Sequence, residues 1–344
     1  MSNDAGPVSR GEVIARQRIV ERIEREAGVP GLTSILARRL TPTDVQSLLL
    51  EVYRLRAVEL TPRKLLELHE ANRFVRPSIA SPARLQTWDA LAWQMLPEGF
   101  EAVELSPVCP LGSVSVLAGL SQDWSVSTSR NTDVVSDSTN VLALECAARR
   151  RNRLKQDSAD STRVHLATSH RLLRGQKFGE GPGVRQHFRV FALCTAGRDE
   201  GSLRFETDVA REHIVYFVRT LTRYLGPTIR MRVAVASLGD DAQRPTMETT
   251  LMDRLRTELE GVQVGWEDAT PQGRAYYRIL RFHIYATHPR EGEKELADGG
   301  GVDWSQLLLN NQKERMSISG IGTERLVELF GAGTPEREAG GSRR

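Results

Sequence analysis

Between Val164 and Gly331 the hydrophobic pattern has strand character at Val164–Ser169, His187–Thr195, Ile229–Ala236, Val262–Trp266 and Tyr276–Ala286. Only two long helical patterns interrupt it, Asp208–Leu225 and Thr246–Glu260. Helices and strands therefore do not alternate one for one. That order argues for an α+β domain built around a mostly antiparallel sheet. A loop holding Gly299-Gly300-Gly301 and a strand near Ser317 are expected to follow.

The first 76 residues read as helices. Ser9 with Glu12 forms a capping box. Thr41-Pro42 and Thr61-Pro62 each place a threonine cap before a proline at the first helical position. The stripes Val45/Leu48/Leu49 and Leu65/Leu66/His69 predict one buried face per helix. No titratable cluster accompanies them, so residues 1–76 are expected to dock or cover rather than catalyse, presenting a surface to a protein or carrier partner. Residues 77–333 form the expected core, and the Gly/Glu/Arg-rich stretch from Thr334 to Arg344 is expected as a disordered tail. Within the core, Ser81-Pro82 opens a helix striped by Leu85, Trp88, Ala92 and Met95, followed by a strand at Phe100–Leu105. A helix over residues 139–153 ends in the run Arg149-Arg150-Arg151-Asn152-Arg153, expected as a solvated helix end. Nucleic-acid contact is the sharper alternative for that run, and no aromatic platform accompanies it.

Composition narrows the class. With 344 residues, 40% of them hydrophobic, the chain can bury a large core, and a formal charge of +3 is too mild to announce a nucleic-acid binder. Cys109, Cys146 and Cys194 lie far apart, which points to a reducing compartment. No apolar run approaches a membrane span and the N-terminus has no signal-like segment, so a cytoplasmic protein is expected.

The stretch Ser319–Gly331, SGIGTERLVELFG, raises a question of charge. Leu326, Leu329 and Phe330 form an apolar stripe, and Arg325 sits in the first turn, where the macrodipole is already positive. A snorkelling surface arginine is one reading. The other is an anion site, with the glycines admitting a phosphate that Arg325 meets.

Three segments resemble, in order, the signature of class II aminoacyl-tRNA synthetases. SPARLQTWDALAWQMLPEGFEAVELSP resembles motif 1, the dimer-forming element. HRLLRGQKF followed by GPGVRQHFRVFALCTAG resembles motif 2, and SGIGTERL resembles motif 3. GRAYYRILRFHIYATHPREGEKELADGGGVDWSQLL and VSDSTNVLALECAARR resemble blocks of the histidyl-tRNA synthetases and their paralogue, the regulatory subunit of ATP phosphoribosyltransferase. The resemblance implies an ATP-binding ligase that works as a homodimer. Arg174 would contact the α-phosphate and the substrate carboxylate, and Arg325 the γ-phosphate. Phe188 would stack on adenine, with Gln176, His187 and Gly322 also in the nucleotide site. Asp137, Thr139, Tyr276 and Tyr277 would hold the amino acid. Mg²⁺ would accompany ATP, its ligands not singled out.

The departures from that pattern are equally specific. Gln176 and His187 stand where the family has glutamates, and a histidine cannot reproduce a carboxylate's hold on amino groups. Val190 and Cys194 replace polar and acidic residues that would read the substrate side chain, and Gln272 replaces an arginine that Arg274 or Arg278 would have to supply. The sequence stops where histidyl-tRNA synthetases continue into an anticodon-binding domain. Two functions are therefore expected to compete: an adenylate-forming ligase with a non-standard acceptor, and a catalytically silent regulatory or binding subunit. A module binding tRNA by shape through the Arg149–Arg153 run is a third, weaker option.

Overall fold

The computed structural model describes residues 10–176, 185–270 and 276–331. The N-terminal arm comprises α1 (Arg10–Glu26), a short α2 (Leu32–Ser34) continued by a π turn, α3 (Pro42–Val58) and α4 (Pro62–Ala71). Thr41 and Thr61 accept hydrogen bonds from the N–H groups of Asp44 and Lys64, so both predicted caps form. Ser9 lies outside the described residues. The predicted buried faces do not form: no residue of α3 or α4 is buried, and Leu65 and Leu66 are each 59% exposed. The arm instead meets the body at polar points. Arg16 pairs with Asp123, and Asn131 donates to the Pro42 carbonyl at 2.9 Å.

The body opens with α5 (Pro82–Gln94), β1 (Phe100–Ala102), β2 (Val108–Pro110) and α6 (Ser113–Leu117). Next come β3 (Val126–Ser127), β4 (Thr132–Val134), α7 (Ser138–Gln156), β5 (Val164–Leu173), β6 (His187–Arg198) and α8 (Arg204–Leu225). β7 (Met231–Ser237), α9 (Arg244–Met247), α10 (Asp253–Glu258), β8 (Gln263–Trp266) and β9 (Arg278–His288) follow. β10 (Gly292–Val302), α11 (Trp304–Leu309), β11 (Glu314–Gly322) and α12 (Thr323–Phe330) complete it.

Eight strands form one sheet in the order β1-β5-β6-β11-β10-β9-β7-β8, antiparallel except for the two edge pairs. This is the α+β architecture that the sequence predicts. Strand alternation divides the sheet into two faces. On one, Phe188, Val190, Ala192 and Ile318 pack with Leu142 and Cys146 of α7. On the other, Phe191, Leu193 and Ile321 pack with α8 and with Trp88 and Ala92 of α5. Trp88 is fully buried and meets Tyr224 edge-on at 5.3 Å. The stripe expected at a dimer contact thus lies inside the protomer's own core.

Two further expectations are corrected. Gly299–Gly301 lies in the C-terminal part of β10 rather than in a loop. A Cβ on Gly299 would lie 2.6 Å from both the Ile318 carbonyl and the Phe282 ring, and one on Gly300 would lie 2.4 Å from the Leu280 carbonyl. Close strand approach, not turning, requires these glycines. Nor is the whole Arg149–Arg153 run a solvated helix end: α7 continues to Gln156, and within the run only Arg151 and Asn152 are exposed. Arg150 is fully buried, bidentate to Glu314 at 2.9 and 3.0 Å, and donates to Asp160 and the Thr162 carbonyl. Arg149 binds Glu101 and Glu145.

Candidate active site

The β5–β6 hairpin runs in register from Val164 opposite Ala196 to Leu173 opposite His187. Arg174 follows at once, its N–H donating to the Gln186 carbonyl at 2.8 Å. Its side chain is buried, with Nε donating to the Ser136 carbonyl at 3.0 Å and a terminal nitrogen 3.5 Å from Asp137. Asp137 is the N-cap of α7. Its Oδ1 accepts from the N–H and hydroxyl of Thr139 at 3.0 and 2.7 Å, so the start of the helix fixes the carboxylate.

Around this pair lies a cavity with about 440 Å³ of open space, continuous with solvent. Six of the ten site residues picked from sequence line it: Asp137, Thr139, Arg174, Tyr276, Tyr277 and Gly322. Leu172, Val190 and Ile318 give it an apolar wall. A smaller recess of about 180 Å³, lined by Val114, Leu120 and Trp124, shares Asp137 and Arg174 with the first. Burial pushes the Tyr276 and Tyr277 phenols well above their ordinary range, Asp137 and Asp298 adding to the effect, so both stay protonated donors.

The other four predicted residues are placed elsewhere. Phe188 is 2% exposed within the core, and the Arg174 guanidinium lies 5.3 Å from its ring centre. His187, on the opposite face of the hairpin, joins Arg171 through Nδ1 and donates from Nε2 to the Arg76 carbonyl at 2.6 Å. Gln176 stands at the hairpin mouth, its carbonyl accepting from Arg73 at 3.1 Å. Arg325, in the first turn of α12, is half-buried and makes no ion pair or hydrogen bond among the described residues.

Of the candidate replacement arginines, Arg274 lies outside the described residues, and Arg278 binds Asp303 at 3.0 Å without lining the cavity. Arg281, four residues after Tyr277, is buried with its guanidinium 5.6 Å from the Tyr277 ring centre. Sequence reasoning missed Asp298, which lines the cavity and accepts the Tyr277 hydroxyl at 2.9 Å. The acid before the glycine triplet was the signal; read as a loop residue, it has no defined face. Ile279, near the start of β9 and between the tyrosine pair and Arg281, holds φ +67°, a left-handed conformation that is costly for a β-branched residue.

No known protein-family profile matches the sequence, and no curated protein does. Solved structures do. An ATP phosphoribosyltransferase regulatory subunit/histidyl-tRNA synthetase from Bacillus halodurans aligns with TM-score 0.53 and 14% identity, over 74% of this chain and 84% of its own. The apo histidyl-tRNA synthetase of S. aureus aligns with TM-score 0.53 and 13% identity, over 76% and 71%. The RNA binding domain of threonyl-tRNA synthetase from Cryptosporidium parvum aligns with TM-score 0.53 and 11% identity, over 76% and 68%. This chain has the class II aminoacyl-tRNA synthetase fold. Within the class II fold, the segment resembling motif 2 is the β5–β6 hairpin, and that resembling motif 3 is β11 with α12. The cavity lies on the α7 face of the class II sheet, between those two elements.

Proposed function

We propose that the chain binds ATP and an amino acid, or a related carboxylic acid, in the Asp137–Arg174 cavity and joins them as an acyl-adenylate. The observation that carries this reading is the convergence of Asp137, Thr139, Arg174, Tyr276, Tyr277 and Gly322 on one cavity. An α-amino acid offers a cation and an anion side by side, and Asp137 and Arg174 offer the reverse pair 3.5 Å apart. In the reaction a carboxylate oxygen attacks the α-phosphorus in line, the bond to the bridging oxygen breaks, and pyrophosphate leaves. Arg174, fixed by backbone contacts, would stabilise the charge building on the phosphoryl oxygens without reorganising. Arg325, a half-buried cation, is assigned to the triphosphate tail. Mg²⁺ would accompany the nucleotide, held chiefly by its phosphates.

Histidine is not the expected substrate. Val190 contributes an apolar wall and Cys194 is fully buried, so neither reads an imidazole. Engagement of Arg149, Arg150 and Arg153 by the chain's own carboxylates and carbonyls speaks against the Arg149–Arg153 run as a nucleic-acid contact.

A second reading, binding without chemistry, draws on Phe188 and His187. The first has no free ring face for adenine and the second is committed to Arg76. ATP–pyrophosphate exchange across a panel of amino acids decides between the two. Exchange with one acid or a few supports adenylation; ATP binding without exchange for any acid supports the silent subunit.

A further inference from the structure

The segment that leads from the arm into the body, Asn72–Ser78, is stitched to the site at both of its cationic elements. Arg73 donates from Nη2 to the Gly175 carbonyl at 2.6 Å, and from Nη1 to the Gln176 carbonyl at 3.1 Å and Gln186 Oε1 at 2.5 Å. One guanidinium therefore bridges both limbs of the hairpin mouth, one residue beyond Arg174. From the other side Gly175 donates to the Trp124 carbonyl at 2.6 Å, and a Cβ at Gly175 would lie 2.5 Å from the Asp123 carbonyl. The turn is thus held between the Trp124 backbone and the Arg73 fork.

Three residues on, the same segment makes a closed circuit. The Arg76 carbonyl accepts from His187 Nε2, and His187 Nδ1 accepts from Arg171 at 2.9 Å. Arg171 also pairs with Glu324, whose other oxygen accepts the Ser78 hydroxyl at 2.9 Å. Glu324 is 1% exposed and immediately precedes Arg325. Each arginine assigned to the phosphates therefore has a neighbour in sequence that the segment holds.

We infer that Arg73 is a positioning residue of the site: it fixes the turn that carries Arg174, and makes the segment before the body part of the catalytic apparatus. The link to ATP rests on the adenylation reading; the hold on the turn does not. A fork is the suited donor, because three acceptors on two limbs need divergent N–H groups that a single ammonium cannot match.

Hydrogen exchange on the full chain without nucleotide tests the hold. Arg73→Ala is expected to speed exchange of the Arg174 and Gly175 amides about tenfold, in line with loss of charge-assisted bonds at a solvent-exposed position. The thermal midpoint should stay put, and Arg73→Lys should restore part of the protection. Unchanged exchange at these amides in Arg73→Ala overturns the proposal. Calorimetry with ATP·Mg²⁺ then separates the two readings. Arg73→Ala is expected to raise the ATP Kd about tenfold, with Thr61→Ala, in the arm, leaving it unchanged. If the wild-type chain binds no ATP while Arg73→Ala still loosens the turn, the adenylation reading fails and the hold on the hairpin stands. If wild type and Arg73→Ala bind ATP equally, the positioning role is overturned.

Discussion

Asp137 and Arg174, 37 residues apart in sequence, meet at 3.5 Å because the backbone fixes each before their side chains meet. Asp137 is set by the first turn of α7, and Arg174 by the end of the hairpin and the Ser136 carbonyl. The pair lines both the cavity and the small recess beside it, so a ligand in the cavity meets both charges.

Arg174→Ala is expected to abolish pyrophosphate exchange and to weaken ATP binding by about 1–3 kcal/mol, the range for a charge-assisted contact. The fold should tolerate the change, since Asp137 keeps its two bonds from Thr139. Arg325→Ala should weaken ATP by a similar amount. Calorimetry beside a thermal melt checks both; intact ATP affinity in both variants would remove the phosphate assignment.

A homodimer is expected by analogy of α5 and β1 with motif 1. Since Trp88 and Ala92 are internal, the contact must use the outward side of α5 and the open edge of β1. Sedimentation at micromolar concentration reads the mass directly, and a monomer would rule the dimer out.

Arg150→Ala should destabilise the chain by about 3–5 kcal/mol, because it leaves Glu314 as a buried, unanswered carboxylate. The double variant Arg150→Met/Glu314→Leu should regain much of that loss, since both charges vanish together. Urea unfolding of the three chains makes the comparison. Equal stability of wild type and Arg150→Ala would contradict the buried pairing.

Stability should fall on acidification below neutrality. Burial lowers His213 to about 3 and His165 to about 4, Arg163 and Arg153 adding to the second. Thr195 lies between them, at 3.0 and 3.1 Å. Both folded pKa values lie below the ordinary 6.5, so the unfolded chain takes up protons that the native state refuses. Their contribution is complete above about pH 6.5 and is lost as pH falls toward 4 and then 3, at up to about 1.4 kcal/mol per pH unit for each histidine. Denaturation midpoints between pH 7.5 and 4.5 report the slope, and His213→Asn should flatten it. A flat wild-type profile down to pH 5 would show that the histidines are not buried neutral.

What could be read beforehand followed the reach of local rules. Asp137 announces itself as an N-cap, Arg174 as the end of a strand before a glycine, and Gly322 as the turn into α12; all three line the cavity. Asp298 was hidden because its facing depends on how β10 pairs with β9, where the register shifts twice. Arg150 and Arg151 look alike in the sequence, yet one is sealed in and the other is exposed. Helix phase separates them, and phase is set by what α7 packs on. Phe188 and Val190 share a face as alternation requires, but no pattern says that Arg174 will cover the phenyl ring. The arm's stripes were legible as stripes; periodicity cannot say whether the chain itself supplies the opposing surface.

The position of β11 has a consequence for how the molecule is made. It sits between β6 and β10, so the strand formed by Glu314–Gly322 is the keystone that joins β1, β5 and β6 to β7–β10. At roughly 5–20 residues per second, about 6–24 s of translation separate the emergence of β6 from that of β11. Through that interval β6 has an open edge, and once β10 is made a second half-sheet stands beside it with its own open edge where β11 will later lie. The strand order therefore exposes an unpaired β6 edge during synthesis, the kind of edge that can pair with another chain.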